Sequence, residues 1–276
     1  MSIFSALRHF RRDPLSRLAL RREHFLTLQA VQPLVHQFLL PPLPASDADP
    51  WSLDMLVLDM ETTGLDAQQD SVLSLGMVPI RAGMVQLGQS QHLYLDACAQ
   101  VRADTAVINH ILPQTLQQGM SVSQALMHLF TVLAGQSSAR AMADVECSVR
   151  GEVQPHGATR TEPAHAGFPI LVAHGAAIER QFLQQWVSTC FGLQAELPLL
   201  CLDTLALERS LVGNRHSARR DYRLSEIRRS YGLPAYLAHN ALADAVATGE
   251  LLLVQMKHIF AGRRPQLGEL YRRSLS

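Results

Sequence analysis

Apolar residues along this chain fall into blocks of two kinds. Met55–Leu58, Val72–Ile80, Met84–Leu95, Phe168–His174 and Leu199–Leu202 are short aliphatic and β-branched runs with the length of strands. The second and third are separated by Arg81-Ala82-Gly83, a tight turn with glycine, so the first three strands predict an antiparallel meander. The remaining blocks carry apolar residues at helical spacing. Ala176–Phe191 sets Ile178, Phe182, Leu183, Trp186 and Val187 on one stripe, and Ser121–Leu133 does the same with Leu126, Leu129, Phe130 and Leu133 behind a serine cap. Helices are also predicted over Asp104–Leu112, from Asp203-Thr204 through Leu211 with Asp203 as N-cap, over Arg223–Tyr231 and over Asn240–Phe260. Strands at Met55, Phe168 and Leu199 separated by helices imply an α/β fold with parallel central strands.

The ends read differently. From Pro14 to about Leu39 the spacing predicts a basic helical extension, with Asp13-Pro14 as N-cap and first-turn proline and a kink at Pro33. Pro41–Asp47 is proline-rich and reads as a stiff linker. The expected division is therefore an extension with linker over 1–50, a main domain over 51–260 and a basic tail over 261–276. Residues 137–167 mix Gly, Pro, His, Thr and charged residues with neither period, and are expected to form a mobile surface insertion. Its histidines, His156 and His165, lack ligand spacing.

Composition narrows the function classes. With 47% hydrophobic and 17% charged residues, the 276-residue chain is an ordinary globular protein in make-up. Basic and acidic residues number 24 each, so any surface for a polyanion must be local. Lys257 is the lone lysine, and the arginines that supply the remaining positive charge suit bidentate phosphate contacts. Cys98, Cys147, Cys190 and Cys201 form no Cys-x-x-Cys pair, which fits reduced thiols in a cytoplasm rather than a zinc knuckle. No run of eighteen apolar residues predicts a membrane span. Met1–Arg22 is arginine-rich, as organellar presequences are, but Asp13-Pro14 reads as the start of an ordinary helix, and the expected location is cytoplasmic.

Candidate chemistry begins where the first strand ends. Val57-Leu58-Asp59-Met60-Glu61-Thr62-Thr63-Gly64-Leu65 carries two acids out of an apolar run and stops at a glycine. Side chains two apart on a strand share a face, so Asp59 and Glu61 project together, roughly 6–7 Å apart along the strand. Like charges that close call for a cation between them, and carboxylate oxygens suit Mg²⁺ or Mn²⁺.

Three segments, in order, resemble the motifs of the DEDDh (DnaQ-like, epsilon-subunit-type) 3′→5′ exonuclease family. Asp59-Met60-Glu61-Thr62-Thr63-Gly64-Leu65 is similar to the first. His174-Gly175-Ala176-Ala177-Ile178-Glu179-Arg180-Gln181-Phe182-Leu183 is similar to the second, with Gly175 where asparagine is common and Glu179 where the family usually has aspartate. His239-Asn240-Ala241-Leu242-Ala243-Asp244-Ala245 is similar to the third. The resemblance implies a ribonuclease-H-like fold with a mixed five-stranded sheet flanked by helices. It also implies two Mg²⁺ or Mn²⁺ ions held by Asp59, Glu61, Glu179 and Asp244, with His239 as general base. Thr62, Thr63 and Leu65 would border the terminal nucleotide, with Leu65 as an apolar wedge. His110 and His174 stand where the family has histidines near the substrate, although Ile111 replaces the glycine that usually follows the first of them. Spacing adds a constraint of its own: on one continuous helix His239 and Asp244 would face about 140° apart, so both reach one site only if His239 lies on the loop before the helix.

The expected activity is removal of nucleotides from single-stranded or frayed 3′ ends of DNA or RNA in proofreading or repair, alone or beside a polymerase subunit. The alternative is a catalytically weak exonuclease fold that serves as a binding module in a polymerase or repair complex. Gln266-Leu267-Gly268-Glu269-Leu270 loosely resembles a sliding-clamp peptide.

Overall fold

A computed structural model describes residues 13–28, 33–97, 111–134, 168–212 and 220–275. The predicted helix over Asp104–Leu112 lies almost wholly outside these residues, as does the insertion at 137–167 with His156 and His165.

The apolar runs become β1 (Met55–Thr62), β2 (Val72–Arg81), β5 (Ile170–Ala173) and β6 (Leu200–Asp203). β1 pairs antiparallel with β2 and parallel with β5, and β5 parallel with β6, which is the predicted mixture. The third run is not one strand. It gives β3 (Met84–Val85), a 3₁₀ turn over Leu87–Gln89 and β4 (Gln91–Tyr94), both strands pairing antiparallel with β2. The mixed sheet thus has six strands rather than five, ordered β3-β2-β1-β5-β6 with β4 also on β2. Gln89 N–H donates to Gln86 C=O and Ser90 N–H to Leu87 C=O, which close the turn, while Gln86 N–H still reaches Pro79 C=O of β2.

Helices cover both faces. On one side α4 (Val122–Leu133) packs with α5 (Ala177–Phe191), and α3 (Pro113–Gln117) precedes them. The Ser121 hydroxyl accepts from Gln124 N–H while the Gln124 side chain accepts from Ser121 N–H, a reciprocal capping box. On the other side α8 (Ala241–Ile259) crosses β1 and β2. It comes close because its contact stripe is small: a Cβ at Gly249 would already touch Val57, and one at Gly76 of β2 would lie 2.1 Å from the Ala241 carbonyl carbon. α6 (Thr204–Val212) and α7 (Leu224–Ser230) complete this layer.

Three terminal helices belong to the same core. α1 (Pro14–Leu26) starts at Asp13, whose carboxylate accepts from Leu15 and Ser16 N–H, and it buries Leu15, Leu18 and Phe25. Pro33 opens a separate helix, α2 (Pro33–Leu39), in place of a kink; its Phe38 stacks on Phe130 at 4.8 Å. The linker is stitched down at Ser46, whose hydroxyl donates to Asp13 Oδ2 (2.9 Å) and whose carbonyl accepts from Gly268 N–H (2.8 Å). The expected C-terminal tail is helix α9 (Leu267–Arg273), with Leu267, Leu270 and Tyr271 buried in the core. Leu267 and Leu270 are the apolar residues a clamp peptide would have to present, and both are buried. Among the described residues no helix is long and apolar enough to cross a membrane.

Candidate active site

β1 delivers the first two acids on one face, as alternation requires. Asp59 pairs with Gly76 and Glu61 with Ser74, so both acids point to the side on which α8 begins. The register shifts between Glu61 and Thr62, the kind of irregularity that re-aims side chains at a strand end. Because Gly76 has no side chain, the N-terminus of α8 rests on the strand opposite Asp59, and Asp244 in its first turn comes down over β1. One oxygen from each of Asp59, Glu61 and Asp244 can be chosen so that all three lie within 4.8 Å of one another.

Glu179 enters from the first turn of α5, 6% exposed, with its Oε2 buried and without a hydrogen-bond partner. It stands outside the group of three, but it is the foremost of the carboxylates that raise the pKa of Asp59. Burial comes first in every case. It lifts Asp59 well above the usual carboxylate range, helped by Glu179, Asp244 and Glu61. Glu61 is pushed up to about 7 by burial and Asp244, and Glu179 up to about 8 by burial, with Asp203 adding and its own backbone N–H opposing. Asp244 is also raised by burial, against several donors. Four acids pushed up together repel one another, and a cation among them would offset that repulsion.

His239 lies on the loop two residues before α8, exposed and with φ 62° in the left-handed region, as the spacing to Asp244 requires. Its backbone N–H is among the groups that oppose the burial-driven rise of the Asp244 pKa. Asn240 caps α8 by accepting from Ala243 N–H (3.0 Å), while its own N–H donates to Asp244 Oδ2 (3.0 Å).

The loop after β1 is self-braced. The Thr62 hydroxyl donates to Gly64 C=O (2.6 Å), and the Thr63 hydroxyl donates to Asp70 (3.1 Å) and accepts from Ser71 N–H (2.9 Å). Asp70 also accepts from Asp66 N–H, which leaves Leu65 projecting at 72% exposure. His174 has both ring nitrogens engaged inside the fold. Nε2 faces the Tyr222 carbonyl (3.0 Å) and so carries the proton, and Nδ1 accepts from the Thr204 hydroxyl (2.8 Å). Burial lowers its pKa, so the neutral ring ties the end of β5 to α6 and to Tyr222. Next to it Gly175 has φ 80°, a region glycine enters freely and asparagine tolerates. Asp203 closes this turn by accepting from Gly175 and Ala176 N–H while also capping α6 through Leu205 N–H. His110 lies outside the described residues.

Motif reading did not single out Gly76, Asp70 or Tyr236, which lies close enough to Asp244 to act on its carboxylate. A glycine inside an apolar strand is a sequence signal for close backbone approach, and Gly76 carried it. Asp70 and Tyr236 carry no comparable signal.

A profile of the exonuclease family matches residues 56–153. The chain is 28% identical over 201 residues to DNA polymerase III PolC-type of Thermotoga maritima, covering 72% of this chain and 11% of that one. It is 24% identical over 200 residues to DNA polymerase III subunit epsilon of Treponema pallidum, covering 72% of this chain and 75% of the relative. The chain thus spans a small fraction of the PolC-type relatives. Among solved structures, exonuclease I matches with TM-score 0.52 at 14% identity, over 79% of this chain and 42% of that one. Cell-death related nuclease 4 matches with TM-score 0.51 at 13% identity, over 74% and 64%. These structures share the ribonuclease-H-like fold.

Proposed function

We propose that this chain, a member of the DnaQ-like exonuclease family, is a divalent-metal-dependent exonuclease that removes nucleoside 5′-monophosphates from 3′ ends. The observation that carries the proposal is the convergence of Asp59, Glu61 and Asp244 within 4.8 Å, with His239 on the adjoining loop. The donors fit Mg²⁺ or Mn²⁺: they are carboxylate oxygens, they repel one another as they stand, and Glu179 adds a buried oxygen with no partner. Asp59, Glu61 and Asp244 would hold the ions, with Glu179 behind Asp59. Two such ions, when bound, acidify a water and neutralise the leaving 3′ oxygen.

The protein's own groups do the rest. His239, exposed on the loop before α8, takes the proton from the water whose oxygen attacks phosphorus. The P–O3′ bond breaks in line, and the 3′ oxygen leaves to be protonated from solvent. Leu65 stacks on the terminal base from a loop held still by Thr62, Thr63 and Asp70, an apolar contact indifferent to base identity. Single-stranded or frayed DNA is the substrate we favour. The relatives' names also support a polymerase partner.

The test is digestion of 3′-labelled and 5′-labelled single-stranded DNA and RNA with Mg²⁺ or Mn²⁺, for wild type and Asp59→Ala. Mononucleotides from the 3′ label, lost with EDTA and with Asp59→Ala, are expected. Activity that survives both would overturn the mechanism. Oligonucleotide binding without turnover at any metal concentration would favour the binding module.

A further inference from the structure

The two cross-strand rows that carry the acids do not end at β2. Asp59 is opposed by Gly76, and Gly76 by His92 of β4; Glu61 is opposed by Ser74, and Ser74 by Tyr94. Directly opposed residues of a sheet share a face, so His92 and Tyr94 belong to the same side as the acids, two strand spacings or roughly 10 Å across. We propose that these two rings form a stacking platform for a base of the substrate strand, on the 5′ side of the nucleotide removed; this rests on the nuclease reading above.

The rings already meet. Two residues apart on one strand, they lie with centroids 4.4 Å apart and planes inclined by 32°, and the Tyr94 hydroxyl is 3.3 Å from His92 Nδ1. Both are half-buried, so each is held from behind and still presents part of its surface. Burial lowers the His92 pKa, which keeps the imidazole neutral near pH 7.

They line a cavity of about 460 Å³ whose other walls include Gln114 and Thr115 of α3, Gln118 and Met120. Among the described residues that line it there is no Asp, Glu, Lys or Arg. Aromatic surface beside side-chain amides suits a nucleobase, with its π-face and hydrogen-bonding edge, better than it suits a phosphate. The wall is fixed to the floor. Met120 N–H donates to Tyr94 C=O and Asp96 N–H to Met120 C=O, both at 2.8 Å. A Cβ at Gly119 would lie 2.3 Å from the Leu95 carbonyl carbon, so this segment is pressed against the end of β4. A pocket already formed in this way loses little freedom when it is filled.

The experiment compares Tyr94→Leu, Tyr94→Phe and His92→Leu with wild type in steady-state digestion of single-stranded oligothymidylate with Mn²⁺. Stacking on an aromatic side chain contributes about 1–3 kcal/mol per base, so KM should rise about 5- to 100-fold in each leucine variant while kcat is held. Tyr94→Phe, which keeps the ring, should restore the wild-type KM. His92→Leu carries the test if Tyr94→Leu fails to fold. A wild-type KM in the leucine variants, or a fall in kcat with KM unchanged, would overturn the platform and leave the nuclease reading standing. Equal loss in Tyr94→Phe and Tyr94→Leu would overturn it too, because the ring face would then not be the feature that acts. A wild-type chain that cuts neither DNA nor RNA would overturn the nuclease reading and this proposal with it.

Discussion

At the scale of single residues the site turns on Glu179. One methylene longer than the aspartate usual in the exonuclease family it resembles, it reaches a buried position where one oxygen has no partner and its acid is pushed up to about 8. If it contributes to holding the ions, Glu179→Gln should lower exonuclease rate by at least about tenfold at moderate Mg²⁺, and a smaller loss in steady-state assays would argue for a bystander. The same burial has a consequence for stability. Glu61 and Glu179 keep their protons in the folded state up to about 7 and about 8, whereas an unfolded glutamate gives its proton up near the ordinary pKa of about 4.3. The native state therefore binds more protons between those limits, so stability without metal is highest on the acid side and falls as pH rises through 7 and 8. Urea unfolding in EDTA at acidic, neutral and mildly alkaline pH should show this decline. Glu179→Gln should flatten it, and saturating Mn²⁺ should reverse it by binding the folded state alone.

At the scale of elements, the decisive contact is between α8 and β2. The expected helix over Asn240–Phe260 matches α8 almost to the residue, and the structure shows Asn240 as its N-cap. Its height above the sheet was not predicted, although it decides whether Asp244 meets Asp59. Gly76→Ala is expected to push the first turn of α8 outward, since the new Cβ would lie 2.1 Å from Ala241 backbone. Overpacking of this kind costs about 1–3 kcal/mol. Denaturant unfolding would register that cost, and exonuclease rate should fall further than the stability loss explains, because the acids separate. The edge strand teaches a related lesson. Met84–Leu95 reads as one strand-like run, and the polar Gln86, Gln89 and Ser90 around Gly88 divide it into β3 and β4.

At the scale of the molecule, the ends of the chain are structural. Leu15, Leu18 and Phe25 from α1 and Leu267, Leu270 and Tyr271 from α9 share the core that underlies the sheet. Burying a large apolar side chain contributes about 1.5–3 kcal/mol, so the three from α9 together approach the stability of an ordinary domain. A chain truncated after Arg264 should therefore lose its cooperative thermal transition by circular dichroism. A tail free to bind a clamp would leave that transition intact. Alternation and helical spacing made the strands and most helices legible, because each pattern is set by local backbone geometry. The terminal helices were harder to place, since a short amphipathic helix next to prolines has the same composition whether it is docked or free.

What the sequence by itself determined was local and chemical: which segments are strands or helices, that Asp59 and Glu61 share a face, and that His239 must precede the helix bearing Asp244. Those follow from residue periodicity and covalent spacing. Only the tertiary structure decided distances between residues far apart in the chain. It brought Asp244 within 4.8 Å of the two strand acids and left Glu179 buried beside Asp59. Each of these depends on how closely two packed layers approach, and that is fixed by side-chain volume at contacts such as Gly76, a glycine that signals a close approach in the sequence without naming what approaches.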